Sequence, residues 1–476
     1  MKSKLKTFKN FSEEILPHEA SYLLKHQKIK DIEKNSILQK VCYNAWSVIT
    51  PYNFDENIDK RKYTYIKNWI NKKLQSKDVD RHLNYISAIE NNILTDNIKP
   101  AEEQDLFKQI KNYTHTSFYF QKFYELVREY QDFLLIRFRY KGCDLTEAFL
   151  KNNRDHYLSS VHAKEQLFFA TKDLTLQYTS GSLDTKHWEK KLLAFMQSEN
   201  LDGLNRYNAF LRLVFLYFNY NEYDKAAKVF DQVDIYFKQG LMYSRRFLFN
   251  YYGNRVILHS KLGELDKAEY YARLSVKQEN SDKLFYLNNL VGILLKREKN
   301  KTALSFTIKN FDLYKNTYNH HHKLGFATHY IRALVRNKRL NVAENFAKSF
   351  LSKNYENIFE HRWKHFFSSY LMLLITKERY ADVLKIIRKF NLIERETDVM
   401  HLEDFIPKIH FYHLLASYMM GSYSEDKLKE ELKKTIESTD NLSERGHSEL
   451  LTFTKRLSSI FPGIFSSVES HLYLAQ

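Results

Sequence analysis

The stretch KLGELDKAEYYA, residues 261–272, decides the fold. A short polar turn leads to a small residue, Ala268, and then to an apolar helix. Related phrases recur along the chain: NYNEYDKAAKVF at 219–230, KREKNKTALSF at 296–306, RNKRLNVAENFA at 336–347 and TKERYADVLKII at 376–387. Their aligned positions are Ala226, Ala268, Ala303, Ala343 and Val383, at spacings of 42, 35, 40 and 40 residues. The recurrence predicts a repeated pair of helices joined by a tight turn.

The segment before each turn supports this interpretation. It carries apolar residues at helical spacing, for example Val256 and Ile257, or Ile331 and Leu334. Two antiparallel helices cannot bury their shared face alone, so neighbouring pairs must stack. A small residue early in the second helix allows the first helix to approach closely. The pattern therefore predicts a stack of helix pairs.

Composition favours the same fold class. Only 11 Gly and 5 Pro occur in 476 residues, which suits long helices with few turns and predicts an all-α protein. The two cysteines, Cys42 and Cys143, are too few for a disulfide framework or a zinc site. The basic N-terminus has no apolar run typical of a signal peptide, and no long apolar segment predicts a membrane span. We therefore expect a cytoplasmic location.

The turns and helices at 205–395 resemble the tetratricopeptide repeat family. The best copy, Asn250–Lys277, matches the inter-helix turn and second helix of that family at Gly263, Leu265, Ala268, Tyr271 and Ala272. Most units are longer than the usual 34 residues, and the Pro that commonly closes a repeat is missing. The resemblance implies a right-handed α-solenoid of antiparallel helix pairs, whose first helices line a concave groove that receives a partner peptide or helix. It thus implies a non-catalytic interaction scaffold.

Four ranges describe the predicted organisation. Residues 1–110 form an N-terminal helical region, with helices near 19–49, 57–76 and 78–94. Degenerate helical repeats follow at 111–200, and the repeats proper occupy 201–395. A further degenerate repeat and a capping helix complete the chain at 396–476. No low-complexity linker marks a boundary between these ranges.

Positive charge gathers on the repeats. The chain has 74 basic and 57 acidic residues, a net charge of +17, and residues 301–350 carry nine basic against two acidic side chains. This excess is either a solvated lysine-rich surface or a basic binding face. His329, Arg332 and Arg336 are spaced three and four apart, which predicts one shared helix face for binding carboxylate or phosphate. The predicted groove residues are Asn250, Asn254, Asn288, Asn289, His329, Arg332 and Arg336.

No catalytic motif is present, so no enzyme activity and no cofactor are expected. His361 with His365, and His410 with His413, have helical spacing but lack a third ligand nearby, so no metal site is predicted. The run NHHHK at 319–323 is interpreted as a solvated loop. The expected partner is another protein, with an acidic peptide or helix. The alternative, favoured by net charge and aromatic content, is a regulatory nucleic-acid-binding repeat protein, although no recognised nucleic-acid module is present.

Overall fold

The computed structural model describes residues 5–47, 51–180, 184–277, 279, 281–400, 404–439, 442–461 and 464. All regular secondary structure in these ranges is helical, which confirms the all-α prediction. The chain divides into two compact units, unit 1 (Met1–Gln278) and unit 2 (Glu279–Gln476). This division falls inside the predicted 201–395 range, and the four-part organisation stays a prediction.

The helices of unit 1 follow one another with short connections. They are α1 Lys6–Glu14, α2 Pro17–His26, α3 Ile32–Trp46, α4 Lys60–Gln75, α5 Val79–Leu94, α6 Pro100–Asn112, α7 Phe120–Ile136, α8 Cys143–Ser180, α9 Trp188–Gln197, α10 Gly203–Asn219, α11 Tyr223–Gln239, α12 Arg245–Lys261 and α13 Leu265–Ser275. The helix predicted near 19–49 is two helices, α2 and α3. Residues 27–30 leave the helical path, and Asp31 then caps α3 by accepting the backbone N–H of Lys34.

Unit 2 continues in the same manner. Its helices are α14 Lys283–Lys296, α15 Asn300–Lys309, α16 Phe311–Asn316, α17 His320–Arg336, α18 Leu340–Lys353, α19 Tyr355–Asn357, α20 Trp363–Thr376, α21 Tyr380–Lys389, α22 Leu392–Thr397, α23 Lys408–Met419, α24 Glu425–Glu437 and α25 Glu444–Ser458. A π-helical turn, Ile358–Arg362, precedes α20. The NHHHK run is therefore not a loop, because Asn319 caps α17 and the helix begins at His320.

One turn geometry recurs at all five aligned phrases. The residue five positions before each small residue has a positive φ of 54 to 76°; these residues are Asn221, Gly263, Glu298, Lys338 and Glu378. The next backbone N–H then donates to the carbonyl five residues back, at 2.8 to 2.9 Å in every copy. This is the Schellman ending, in which a left-handed residue lets the chain satisfy the last carbonyls of a helix and reverse.

The five aligned positions share one environment, although Val383 replaces the small residue in the fifth unit. Ala226, Ala268, Ala303, Ala343 and Val383 are all fully buried. Each lies in the first turn of its helix, directly after the Schellman ending. A larger side chain at a fully buried position would have to displace its neighbours.

In unit 2 the helices on either side of these turns pack in a regular order. The first helices of successive pairs lie against one another: α14 against α17, α17 against α20, and α20 against α23. Each second helix contacts its own first helix and the following one, as α15 does with α14 and α17. The order brings side chains from four first helices, distant in sequence, to neighbouring positions.

In unit 1 the N-terminal helix α2 packs against α11 through buried polar groups. The ring of His18 is 2.7 Å from the Tyr252 hydroxyl through Nδ1 and 2.7 Å from the Asp234 carboxylate through Nε2. Glu19 accepts hydrogen bonds from Tyr243 at 2.6 Å and from Arg245 at 2.9 Å. Since buried charges need partners, these contacts fix α2 on this unit.

Within the described ranges, no helix has both the length and the apolar character that a bilayer crossing requires.

Candidate functional site

Two of the predicted groove residues, Asn250 and Asn254, lie on α12 of unit 1. The amide oxygen of Asn250 accepts a hydrogen bond from the Tyr207 hydroxyl at 2.9 Å. The Asn254 amide donates to the carbonyl of Asn250 at 3.0 Å and to its side-chain oxygen at 3.2 Å. These amides thus connect α10 and α12, and only part of their hydrogen-bonding capacity remains for a ligand.

Asn288 and Asn289 lie on α14 of unit 2. The buried Asn288 amide donates to the carbonyl of His322 at 2.9 Å, which ties α14 to α17. The side-chain nitrogen of Asn289 is covered from solvent and has no hydrogen-bond partner among the described residues. An unsatisfied buried donor is costly, so Asn289 is the better candidate for a ligand contact.

The remaining three residues lie on α17. Arg332 donates through Nε to the Ser369 hydroxyl of α20 at 2.7 Å. Arg336 donates to the Leu295 carbonyl at the end of α14, so it also bridges two helices. His329 faces α14 at Gly292, and its Nδ1 has no partner within the described part of the chain. The predicted face of α17 is therefore covered by its two neighbouring first helices. Arg332 contacts α20, whereas His329 and Arg336 contact α14.

Further cations join this face from other helices. Arg332 acts electrostatically on His365 and Lys408, and Arg456 acts on Arg332, Arg336 and Lys408. Lys364 lies beside His365 at the beginning of α20. We call these residues the basic cluster: Arg332, Arg336, Lys364, Lys408 and Arg456. They come from α17, α20, α23 and α25.

Carboxylates do not balance the basic cluster. Within the ranges that the structure describes, none of its five cations forms an ion pair. Three carboxylates act on the cluster electrostatically without forming an ion pair with it among the described residues: Glu298 on Arg336, Glu396 on Lys364 and Glu449 on Lys408. Two of them have other partners. Glu396 caps the beginning of α23 and binds His410 at 2.8 Å, and Glu449 pairs with Lys296 at 3.6 Å. Unbalanced cations held together by a fold are an arrangement suited to an anionic ligand.

The crowding shifts the pKa values of the cluster and its neighbours. Burial, followed by the charge of Arg332, lowers the pKa of Lys408 to about 8. Burial also lowers the pKa of Arg336 to about 10, with Arg456 and Arg332 adding to the effect. His329 has its pKa lowered to about 3, again by burial first and then by Arg332. At neutral pH the arginines supply charge, whereas His329 is a neutral hydrogen-bonding group.

Helix α25 forms one wall beside this face. The ring of Phe453 packs on Phe411 and Tyr412 of α23, with centroids 5.5 and 5.8 Å apart. Glu449 on the same helix reaches Lys296 at the end of α14. Through these contacts α25 reaches both α14 and α23, and Arg456 on the same helix acts electrostatically on Arg332, Arg336 and Lys408.

Of the two histidine pairs, only His410 with His413 has both side chains described. His410 binds Glu396, and Thr397 is 3.5 Å from its other ring nitrogen. The side chain of His361 lies outside the described residues. Among the side chains that are described, no group of three or more His, Cys, Asp or Glu is arranged to hold a metal ion.

Sequence reasoning missed Lys364, Lys408 and Arg456, and also the nearby Lys296. One of them had a usable signal. Lys296 and Arg336 both lie seven positions before the small residue of their repeat, Ala303 and Ala343. Equivalent positions of successive repeats face the same side of the stack. The position of Lys296 near Arg336 could therefore have been predicted from the sequence. The other three depend on packing between distant helices.

No protein-family model, no curated protein and no solved structure matches this chain.

Proposed function

We propose that this protein is a non-catalytic interaction scaffold, and that the basic cluster of unit 2 binds an acidic peptide or helix of a partner protein. One observation carries the proposal: the five cations, from four helices, act electrostatically on one another or on His365, and none of them forms an ion pair among the described residues. Like charges held together cost stability, and a bound anion offsets that cost.

The groups around the cluster suit a peptide carboxylate. Arg332 is held at Nε by Ser369, so its two terminal nitrogens can form the paired hydrogen bonds that carboxylates accept.

The proposal extends to the architecture. We propose that the helix pairs form a tetratricopeptide-like, right-handed solenoid, in which the first helices line the binding face. The side-by-side packing of α14, α17, α20 and α23 supports this, as do the five identical turns. Free thiols at Cys42 and Cys143 support a cytoplasmic setting.

A protein partner is favoured over nucleic acid. Single-stranded nucleic acid binds through aromatic rings on which bases stack. The rings beside the cluster, Phe405, Tyr412 and Phe453, are buried against other side chains and present no stacking face. The cluster thus offers charge and hydrogen bonds without a platform for bases.

A pull-down from native cell extract tests the proposal. The wild-type chain is compared with the double variant Arg332→Glu/Arg336→Glu and with Lys385→Glu, which reverses one exposed charge on α21. We expect the wild type and Lys385→Glu to retain the same protein partners, and the double variant to lose them. Equal recovery by all three chains would contradict the proposal.

Treatment of the extract with nuclease separates the two ligand classes. A partner held through peptide contacts remains bound after nuclease treatment. If recovery disappears with the nucleic acid, and the purified chain shifts labelled RNA at low salt, the nucleic-acid alternative replaces this proposal.

A further inference from the structure

Helix α8 presents an apolar stripe to solvent. The exposed residues Leu158, Val161, Phe168, Phe169 and Leu176 lie on one face, with Phe168 66% and Leu176 50% exposed. The opposite face is buried and consists of Ser160, Ala163, Leu167, Ala170 and Leu174. At 100° per residue the five exposed side chains lie within about 50° of one line along the helix, over about 27 Å. An exposed apolar strip of this length typically marks a contact surface.

The part of the stripe from Val161 to Leu176 is symmetric about its midpoint between Phe168 and Phe169, from which Val161 and Leu176 are equally distant. Leu158 lies outside this symmetric part. The two charged residues within the stripe, Glu165 and Lys172, are also equally distant from the midpoint, and both are exposed. Over residues 161–176 the sequence therefore presents the same apolar pattern from either end, with the charge reversed.

This symmetry indicates that the stripe binds a second copy of the same chain. When two copies of α8 lie antiparallel about a twofold axis at the midpoint, Glu165 of each copy faces Lys172 of the other, and the two phenylalanine pairs meet at the centre. In a parallel arrangement Glu165 would face Glu165 and Lys172 would face Lys172, which is unfavourable. A twofold interface must be self-complementary, and this stripe has that property.

We propose that the chain forms a homodimer through α8, paired antiparallel with α8 of a second copy and centred on Phe168 and Phe169. The stripe belongs to unit 1 and contains no residue of the basic cluster. The dimer therefore stands independently of the proposed function.

Sedimentation equilibrium on the full chain tests the dimer. A monomer has a mass of 57.2 kDa, and we expect the wild type to reach twice that mass at about 100 μM. Glu165→Lys and Lys172→Glu each place like charges together twice across the interface. Each single variant should weaken association at least about tenfold. The double variant Glu165→Lys/Lys172→Glu should return to the wild-type mass.

Mixing the two single variants gives the sharpest result. In the mixed pair every facing position carries opposite charges, so equimolar Glu165→Lys and Lys172→Glu should form a heterodimer although each alone is monomeric. Lys228→Glu, an exposed reversal on α11, should leave the wild-type mass unchanged. Circular dichroism checks that all variants fold. A monomeric wild type at about 100 μM, or single variants that do not associate when mixed, would overturn the proposal.

Discussion

The Nε atom of Arg332 donates a hydrogen bond to the Oγ atom of Ser369 at 2.7 Å, and Ser369 in turn donates to the carbonyl of His365 at 2.9 Å. This chain of bonds holds the guanidinium of α17 against α20 by one nitrogen. Among the described residues, its two terminal nitrogens form no hydrogen bond. Arg332 is therefore the residue around which the proposed binding face is organised.

The first prediction concerns this geometry. Arg332→Lys keeps the positive charge, but a lysine cannot donate to Ser369 and also offer a carboxylate two parallel hydrogen bonds. The affinity for an acidic peptide should therefore fall about tenfold. Lys364→Arg, which also exchanges one cation for another, should leave the affinity within about twofold. Fluorescence anisotropy with a labelled acidic peptide measures both. Equal losses in the two variants would mean that only net charge matters.

The second prediction concerns pH. Because burial and the neighbouring arginines lower the pKa of Lys408 to about 8, this side chain loses its charge between pH 7 and 9. Affinity for an acidic peptide should therefore decrease as the pH rises through that range. Lys408→Arg retains its charge and should flatten the profile. A profile of the same slope in both chains would exclude Lys408 from the site.

The third prediction concerns the repeated turn. Lys338 adopts a left-handed conformation with φ of 58°, which favours glycine. Lys338→Gly should raise the free energy of unfolding by about 0.5 to 1 kcal/mol. Gly263→Ala should lower it by about 1 kcal/mol, although nothing lies within 4 Å of the added Cβ atom. Thermal and urea denaturation measure both; a change of the same sign in the two variants would contradict the role given to the turn.

The fourth prediction concerns Glu344, which holds the end of α20 to α18. Its carboxylate lies 2.5 Å from Lys348 and 2.5 Å from Lys377 and also pairs with Arg379. The hydrogen bonds from Lys348 and Lys377 lower its pKa to about 2. The charged form therefore stabilises unit 2 above the unfolded pKa of about 4.3, and this stabilisation is lost as the pH falls toward 2.

Glu344→Gln should lower the free energy of unfolding by about 2 to 3 kcal/mol at pH 7 and by much less at pH 2. The matched control is Glu356→Gln, an exposed carboxylate on α19, which should change stability by less than about 0.5 kcal/mol. Denaturation at both pH values measures the difference. A loss at pH 2 as large as that at pH 7 would show that the ion pairs are not its cause.

Local features of the fold were predictable from the sequence. The five aligned residues are buried and the turns before them share one geometry, because both depend on residues within a single phrase. The break between α2 and α3 was missed, since residues 27–31 contain no Gly or Pro to mark it. Tertiary contacts such as His18 with Asp234, 216 positions apart, leave no local pattern.

The residues of the candidate site were likewise predictable from the sequence only in part. Arg332 and Arg336 share a face because their spacing follows the helical period, and this was evident from the sequence. Lys408 and Arg456 reach them only because α23 and α25 pack beside α17 and α20, and their sequence spacing carries no such information.

The central claim is that the basic cluster binds an acidic partner segment. The most direct test is an anisotropy titration of the full chain with a labelled pool of acidic peptides of about 12 residues. We expect saturable binding by the wild type and by Lys385→Glu, and a loss of about 100-fold or more in Arg332→Glu/Arg336→Glu. Binding of equal affinity by the double variant, or none by the wild type, would contradict the claim.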